Sequence, residues 1–445
     1  MDHTQNPSFA QRGDVAIAAS TSSLAKLQAN LSDCRAGDNG SDFACVSLLY
    51  GTNRGPKQYK EKFYGYAPLP IGSPQILGEV VISLPKPKGE RRKQDKIEKT
   101  ALSPEHTALH YHEKGFAIWG GEDTGLQELT AAEFEQLARA RVNQITKSRK
   151  SALVFIHGYK ESFETAALQT AQLKTSLLFE GPAFFFSWPS NDTGAQYLND
   201  QQDADFSAQA LADFLRVVKK SVGETTELNI VAHSLGNRVV GQAFEILRQD
   251  IANEKPFIET AIFAAADLDE NLFEKWIVGP PNAAPLVKKP IVYVTDDDLL
   301  LRFSKTLLAA NCSDHDPKYR VGLVTKSDCE TGERRVSVFS KPFETVDLSN
   351  EPGEKFLGVL GKNHFKHSQS RKVMCHMARL FDGGEVSDFE ENDIVERVEV
   401  NGRVYWTTDA KRKVKWLSDC FHDGKHPDTY PAVKVDLRAL RNLSP

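Results

Sequence analysis

The stretch LNIVAHSLGNRVVGQAF, residues 228–244, joins a short apolar run to an amphipathic segment through a single serine. The apolar run is continuous and β-branched, as expected of a strand buried on both faces, and the segment from Asn237 onward repeats apolar residues at helical spacing. Ser234 stands between them in A-x-S-x-G, with Ala232 and Gly236 two positions away. A sharp strand-to-helix turn needs such small neighbours, because larger side chains would collide with the strand and the helix. The stretch therefore predicts a nucleophile elbow rather than a serine that only caps a helix.

Strands and helices alternate on both sides of this elbow. Buried-strand patterns occur at 152–156, 183–188, 228–232, 261–266 and 290–295, and helical patterns at 130–146, 163–178, 206–218 and 237–247, where Phe206 falls on the apolar side of its helix. Such alternation implies parallel strands joined by helical crossovers. Together with the elbow it predicts an α/β-hydrolase fold, in which helices cover both faces of a mostly parallel sheet.

Regions outside this alternation have a different composition. The chain of 445 residues exceeds what one simple core usually fills, so extensions to a large domain are expected. Asn401-Gly402 between two alternating runs is a strong signal for a C-terminal hairpin. The predicted organisation is a flexible tail at 1–42, an α/β-hydrolase domain at 43–380 with an N-terminal β segment at 43–125 and a catalytic core at 150–380, and a small β-rich extension at 381–445.

Charge and hydropathy restrict the partners of the protein. The formal net charge is −5, so no overall positive field attracts nucleic acid. No stretch approaches the length of a membrane span, and the N-terminus lacks the basic start and apolar run of a secretory signal. These features predict a cytoplasmic protein that binds no nucleic acid and has no membrane span.

The six cysteines are scattered without the spacing of metal ligands. They are few for a chain of this length, which favours reduced thiols in a cytoplasm. Cys312 and Cys329 flank one polar segment and would be able to pair if the protein were exported.

A serine hydroxyl becomes a good nucleophile only when a base removes its proton and an acid orients that base. In this fold the chain order is serine, acid, histidine. The strand at 290–295 runs directly into Asp296, Asp297 and Asp298, at the carboxyl end where such sheets build their sites. One of these three is the predicted acid, and the alternatives are Asp267, Asp269 and Asp347.

The predicted base lies in the segment GVLGKNHFKHSQSRKV, residues 358–373, which is a loop leading into a helical run. It contains His364 and His367, and the other histidines after the acid are His315, His376, His422 and His426. The H-x-x-H spacing also suits a zinc pair, but no third ligand supports that reading. His233, beside the serine, is predicted to be a packing residue.

The oxyanion that forms when serine attacks a carbonyl needs fixed N–H donors. In an elbow one donor is the backbone N–H of the next residue, here Leu235. The second comes from the loop after an earlier strand, and His157-Gly158-Tyr159 follows the strand at 152–156. The N–H of Tyr159 or Gly158 is therefore the predicted second donor.

Taken together, these segments resemble a bacterial α/β-hydrolase family of unknown function whose members are labelled esterase/lipase-superfamily enzymes. The resemblance covers residues 45–380 and is carried by YGTNRGP at 50–56, VFIHGYKESFETA at 154–166, FSWPS at 186–190, YLNDQQDA at 197–204, VAHSLGNR at 231–238, YVTDDDLLLRFSKTL at 293–307 and NHFKHS at 363–368. It implies that the acid is Asp298 and the histidine is His364. Asp296, Asp297 and His367 remain alternatives.

The function predicted from the sequence is a serine hydrolase that acts on a small acyl ester through Ser234, His364 and Asp298, with an acyl-enzyme intermediate and without a metal or organic cofactor. One alternative is an acyltransferase that uses the same residues. Another is a binding module that keeps the fold without catalysis. The sequence indicates neither the acyl chain length nor the oligomeric state.

Overall fold

A computed structural model describes residues 43–57, 63–85, 117–119, 125–191, 196–249, 256–280, 285–307, 319–325, 332–351, 363–390, 394–400, 402–409 and 411. The strands are β1 (Phe43–Thr52), β2 (Arg54–Pro56), β3 (Tyr64–Pro68), β4 (Ile76–Pro85), β5 (Ala117–Ile118), β6 (Leu126–Leu129), β7 (Ser151–Ile156), β8 (Ala183–Ser187), β9 (Glu227–His233), β10 (Ile258–Ala264), β11 (Val287–Val294), β12 (Glu344–Asp347), β13 (Val395–Val400) and β14 (Arg403–Thr408). The helices are α1 (Ala131–Asn143), α2 (Phe163–Ser176), α3 (Tyr197–Val222), α4 (Gly236–Leu247), α5 (Glu270–Phe273), α6 (Leu299–Leu307), α7 (Lys366–Gln369) and α8 (Arg371–Phe381). A π-helical turn, Glu274–Val278, continues α5.

Within these ranges, one sheet contains twelve strands in the order β13-β14-β12-β11-β10-β9-β7-β8-β1-β4-β5, with β6 also paired to β4. The strands from β1 through β8, β7, β9, β10 and β11 to β12 are parallel to their neighbours. Strand β8, which follows β7 in sequence, lies on one side of β7 in the sheet, and the next strand, β9, lies on the other side. Such a reversal leaves a crevice at the carboxyl ends of the two strands, where α/β sheets bind their ligands.

Two hydrophobic cores lie on opposite faces of the sheet because side chains alternate along each strand. On β7, Ala152, Val154 and Ile156 join the core that contains α1, α3 and α4, whereas Leu153 and Phe155 join the core that contains α2 and α8. The predicted α/β-hydrolase fold, with a mostly parallel sheet between helices, is confirmed.

Both ends of the described chain add strands to this sheet. At one edge β1 and β4 pair antiparallel. At the other, β13 and β14 form the predicted hairpin, and Gly402 adopts a left-handed φ of 74° in its turn. Strand β14 also pairs in parallel with β12, so the hairpin continues the main sheet.

The cysteines differ from the prediction. Cys45 and Cys375, the two cysteines within the described ranges, are both disulfide-bonded. The expectation of reduced thiols is therefore wrong at these positions. Because disulfides persist in oxidising compartments, the cysteines no longer support the prediction of a cytoplasmic location. Cys312, Cys329 and the tail at 1–42 lie outside the described residues.

None of the helices that the structure describes is long and apolar enough to span a bilayer.

Candidate active site

Ser234 occupies the turn between β9 and α4 in a left-handed conformation with φ of 53°. This conformation costs a non-glycine residue roughly 1–2 kcal/mol. Hydrogen bonds to the carbonyl of Ser234 hold it in place: the backbone N–H of Asn237 donates at 3.1 Å, the Asn237 side-chain amide at 2.9 Å and the backbone N–H of Asp267 at 3.2 Å. The serine therefore sits on a strained elbow that its neighbours fix.

The small residues of A-x-S-x-G are explained by close packing. A Cβ added at Gly236 would lie 2.3 Å from the backbone oxygen of His157. Ala232 is fully buried, two residues before the serine. Helix α4 thus begins directly against the loop that follows β7, which no larger side chain at position 236 permits.

His364 and Asp298 form a buried hydrogen-bonded pair. The Nδ1 atom of His364 lies 2.6 Å from Oδ2 of Asp298, and both side chains are almost completely buried. The other carboxylate oxygen of Asp298 accepts the backbone N–H groups of Leu300 at 2.9 Å and Leu301 at 3.0 Å. Because the first turn of α6 holds one oxygen, the second is fixed toward the imidazole.

The two atoms that a catalytic triad would join are both unpaired. Within the described part of the chain, neither Oγ of Ser234 nor Nε2 of His364 has a hydrogen-bond partner, although both are buried. A hydrogen bond between them is therefore not formed in this structure. Such bonds are often long or misaligned in unliganded enzymes and tighten in the complex with substrate.

His367 takes a different position from His364. Its ring centroid lies 4.7 Å from that of His233, which is also 4.7 Å from the ring of His364. Burial, and after it the neighbouring His364, lowers the pKa of His367 to about 3. His233 is the predicted packing residue, and burial together with His367 and His364 lowers its pKa well below the usual range. Both histidines are therefore neutral near pH 7.

Of the remaining histidines after the acid, the structure describes His376. His376 lies in the core, where its Nδ1 is 2.7 Å from the hydroxyl of Tyr293. His315, His422 and His426 lie outside the described residues.

The two other aspartates of the run contact different partners. Asp297 accepts from Asn363 and forms an ion pair with Lys366, the residues on either side of the His364-Phe365 pair. Asp296 is half-buried, and its backbone N–H donates to the Ser349 hydroxyl at 3.0 Å. The three consecutive aspartates thus have different hydrogen-bond and ion-pair partners.

The alternative acids each have a structural role. Asp267 accepts from the hydroxyls of Tyr197 at 2.7 Å and Ser304 at 2.6 Å. Asp269 caps α5 by accepting the N–H of Asn271. Asp347 is engaged by Arg334 and by the backbone N–H and hydroxyl of Ser349. Within the described chain, the histidine hydrogen-bonded to an aspartate is thus His364, and its partner is Asp298.

The predicted oxyanion loop lies against the elbow. A Cβ added at Gly158 would lie 2.7 Å from Cβ of Ser234, so only glycine allows this approach. The ring of Tyr159 packs edge-to-face on Tyr197, at 5.3 Å between centroids. His157 stacks on Trp188 with the rings 3° from parallel. The loop after β7 is thus held on the sheet edge beside Ser234.

Arg54 was missed by the sequence reasoning, although it lies in the quoted segment YGTNRGP. Its fully buried guanidinium donates to the backbone oxygens of Glu161 at 2.6 Å and Ser190 at 3.1 Å, and to the Ser187 hydroxyl at 2.8 Å. Burial raises the pKa of Glu161 to about 8. Arg54 therefore ties the loop after β7 to the end of β8 and the loop that follows it.

Metal ligation has no geometric support among the residues that can be described. No group of three or more His, Cys, Asp or Glu side chains there is arranged to hold a metal ion.

A parallel sheet between two helical layers, with a serine elbow at the switch between β7 and β9, defines an α/β hydrolase. The family model described as alpha/beta hydrolase of unknown function (DUF900) matches residues 133–380, which is more than half of the chain. The protein belongs to this family. No curated protein matches it in sequence.

Two of the similar solved structures are enzymes of known class. An esterase from Pyrobaculum calidifontis is 14% identical, with a TM-score of 0.22, over 37% of this chain and 65% of that chain. Phospholipase PlaB from Legionella pneumophila in complex with thio-NAD is 13% identical, with a TM-score of 0.25, over 58% of this chain and 67% of that chain. The match thus spans less than two thirds of the esterase. These values support no inference about activity.

Proposed function

We propose that the protein is a serine hydrolase that cleaves small-molecule acyl esters with Ser234 as nucleophile, His364 as base and Asp298 as the acid that orients the base. The observation that carries the proposal is the buried pair of His364 and Asp298, 2.6 Å apart, at the same carboxyl edge of the sheet as a strained serine whose hydroxyl is unpaired. Strain of this kind persists where function requires it.

The Asp298 contact fixes the tautomer of His364. A carboxylate only accepts hydrogen bonds, so Nδ1 of His364 carries the proton and Nε2 keeps its lone pair. Nε2 takes the proton of Ser234 as the hydroxyl attacks the carbonyl carbon, and it returns the proton to the leaving alkoxide. Water then attacks the acyl enzyme with the same base, which releases the acid and restores the serine.

The neighbours of His364 favour this proton transfer. A cation beside the imidazole would oppose formation of the imidazolium, since like charges repel. Burial keeps His233 and His367 neutral near pH 7, as their lowered pKa values indicate. The Asp298 carboxylate, 2.6 Å from Nδ1, stabilises the imidazolium.

The negative charge that develops on the carbonyl oxygen requires donors close to Ser234. We assign this role to the backbone N–H groups of Leu235 and of Tyr159 or Gly158. Support comes from the position of Gly158, where an added Cβ would lie only 2.7 Å from Cβ of Ser234. Loss of one such donor typically costs about 100- to 1000-fold in rate.

Labelling with a fluorophosphonate probe tests the nucleophile. We expect wild type to be labelled and Ser234→Ala not to be. Ser221→Ala is the matched control, because Ser221 is also buried but bonds to the Val217 carbonyl on α3, and it should be labelled like wild type. Equal labelling of wild type and Ser234→Ala would refute the assignment. A series of acyl esters of graded chain length then identifies the substrate range.

A further inference from the structure

Asp297 contacts the residues that flank the proposed catalytic histidine. Its Oδ2 accepts from the side-chain amide of Asn363 at 2.9 Å, and its Oδ1 lies 2.9 Å from Nζ of Lys366. The Asn363 amide also donates to the backbone oxygen of Asp297 at 3.3 Å. We call Asp297, Asn363 and Lys366 the histidine clasp, because they connect the loop after β11 to the segment that carries His364.

The clasp is held from both sides. On the aspartate side, the hydroxyl of Thr295 donates to Oδ1 of Asp297 at 2.6 Å. On the histidine side, Asn363 has a left-handed φ of 67°, and Lys366 is 2% exposed. The Lys366 ammonium also donates to the backbone oxygens of Leu348 at 3.4 Å and Ser349 at 3.2 Å. Asp297 thus supplies the counter-charge for a buried cation.

A buried ammonium without a counter-charge is unfavourable, so removing the Asp297 carboxylate would drive Lys366 toward water. Lys366 begins α7, two residues after His364. A displacement of Lys366 would therefore move the backbone of His364 as well. Asp298 alone does not prevent this, because its hydrogen bond to Nδ1 orients the ring but does not hold the backbone that carries it.

We propose that Asp297 is a positioning residue, which acts through Asn363 and Lys366 to hold the imidazole of His364 at the distance and angle that proton transfer from Ser234 requires. This inference rests on the proposed function. Asp297 touches no reacting atom. It fixes the loop on each side of His364, while Asp298 fixes the ring itself.

The kinetic test compares variants of adjacent aspartates in the full-length protein. For Asp297→Ala, and for the isosteric Asp297→Asn, we expect kcat for a small acyl ester to fall about tenfold to 100-fold with little change in KM, as for a misplaced catalytic group. Asp296→Asn removes the same charge one residue earlier, where the carboxylate interacts electrostatically with Arg334, and should keep the wild-type kcat. The double variant Asp297→Ala/Lys366→Met should lower kcat no further than Asp297→Ala alone, because each substitution breaks the same ion pair of the histidine clasp.

A second readout does not depend on catalysis. In protein labelled with ¹⁵N-histidine, the imidazole signals of His364 are those that disappear in His364→Gln. We expect these signals to shift or broaden in Asp297→Asn and to stay unchanged in Asp296→Asn. Unchanged His364 signals in an Asp297 variant would overturn the proposal, as would a wild-type kcat in a variant that folds. If wild type neither hydrolyses esters nor reacts with the fluorophosphonate, the proposed function fails, and the imidazole signals still decide whether Asp297 positions His364.

Discussion

At the scale of single residues, His364 and His367 have the same side chain and lie three positions apart, yet their surroundings differ. His364 faces a carboxylate and His367 faces other rings. We expect His364→Gln to lower kcat/KM for an acyl ester by about 10⁴-fold or more, because the variant lacks the base that takes the serine proton in the proposed mechanism. His367→Gln should keep most of the activity. Steady-state kinetics of both variants checks this, and a larger loss in His367→Gln would reverse the assignment.

The substitution Gly158→Ala, which adds a single methyl group, tests the proposed oxyanion role of the loop after β7. A methyl group there would meet the Ser234 Cβ at 2.7 Å, so Gly158→Ala must move either the serine or the loop. We expect fluorophosphonate labelling to slow by at least about 100-fold, as when an oxyanion donor is lost. The urea midpoint of the same variant is the control. A variant with wild-type labelling would show that the loop tolerates the methyl group and is not the oxyanion site.

At the scale of elements, Arg54 joins loops that are far apart in sequence. Its bonds to the Glu161 and Ser190 carbonyls and to the Ser187 hydroxyl are charge-assisted, and each such bond contributes roughly 1.5–3 kcal/mol. We expect Arg54→Met to lower the free energy of unfolding by at least about 3 kcal/mol and to slow fluorophosphonate labelling, since the oxyanion loop loses its support. Urea unfolding and labelling rates measure the two effects.

The matched control for Arg54→Met is Arg139→Met on α1. Arg139 is exposed and pairs with Glu135 one turn away, an interaction that is worth only about 0.3–0.5 kcal/mol. Its removal should leave labelling unchanged. Equal effects of the two substitutions on labelling would contradict a role for Arg54 in the site.

The sequence predicted the elements of the sheet well because buried parallel strands are continuous apolar runs. Helix α3 shows where that signal fails. It begins at Tyr197 rather than near Phe206, because its first turns bury polar residues such as Asp200, which accepts from Ser190 and Asn191. Phe206, predicted on the apolar side, is 59% exposed. Hydrophobic periodicity detects neither buried polar contacts nor exposed aromatic rings.

The site was predictable as far as motif and chain order reach. These predicted Ser234 as the nucleophile and limited the candidate acid to a few aspartates and the candidate base to two histidines. The choice between His364 and His367 depends on how one loop folds, and the spacing of the two histidines in the sequence does not determine it. Arg54 binds mainly backbone carbonyls, and Asp297 binds residues 66 and 69 positions later, so neither leaves a local pattern.

At the scale of the whole molecule, buried histidines make stability depend on pH. Burial lowers the pKa of His157, His367 and His376 to about 3. The unfolded chain binds protons to these residues below about pH 6.5, whereas the folded chain does not until about pH 3. Their contribution to stability is therefore complete above pH 6.5 and is lost progressively as the pH falls toward 3.

Buried acids act in the opposite direction. Burial raises the pKa of Glu161 to about 8 and that of Asp203 to about 6, so the folded chain binds their protons first. Their contributions grow as the pH falls and are complete near pH 4, close to their unfolded values. We therefore expect the free energy of unfolding to fall most steeply with decreasing pH below about pH 4.5, where the destabilising effect of the histidines is no longer offset by the two acids.

Urea midpoints at several pH values check this expectation. His376→Gln removes a buried histidine far from Ser234, and its loss of stability on acidification should be smaller than that of wild type by up to about 1.4 kcal/mol per pH unit. Parallel curves for the two proteins would mean that His376 is already protonated in the folded state.

The left-handed Ser234 has a consequence for how this protein responds to selection. Glycine would adopt the same backbone angle without the strain of roughly 1–2 kcal/mol, although part of that gain is offset by the greater entropy of the unfolded chain. Ser234→Gly is thus among the few substitutions at the proposed nucleophile that would not reduce thermal resistance. Directed evolution for heat tolerance alone would tend to replace this serine, so a screen of this protein for heat resistance has to be paired with a screen for turnover.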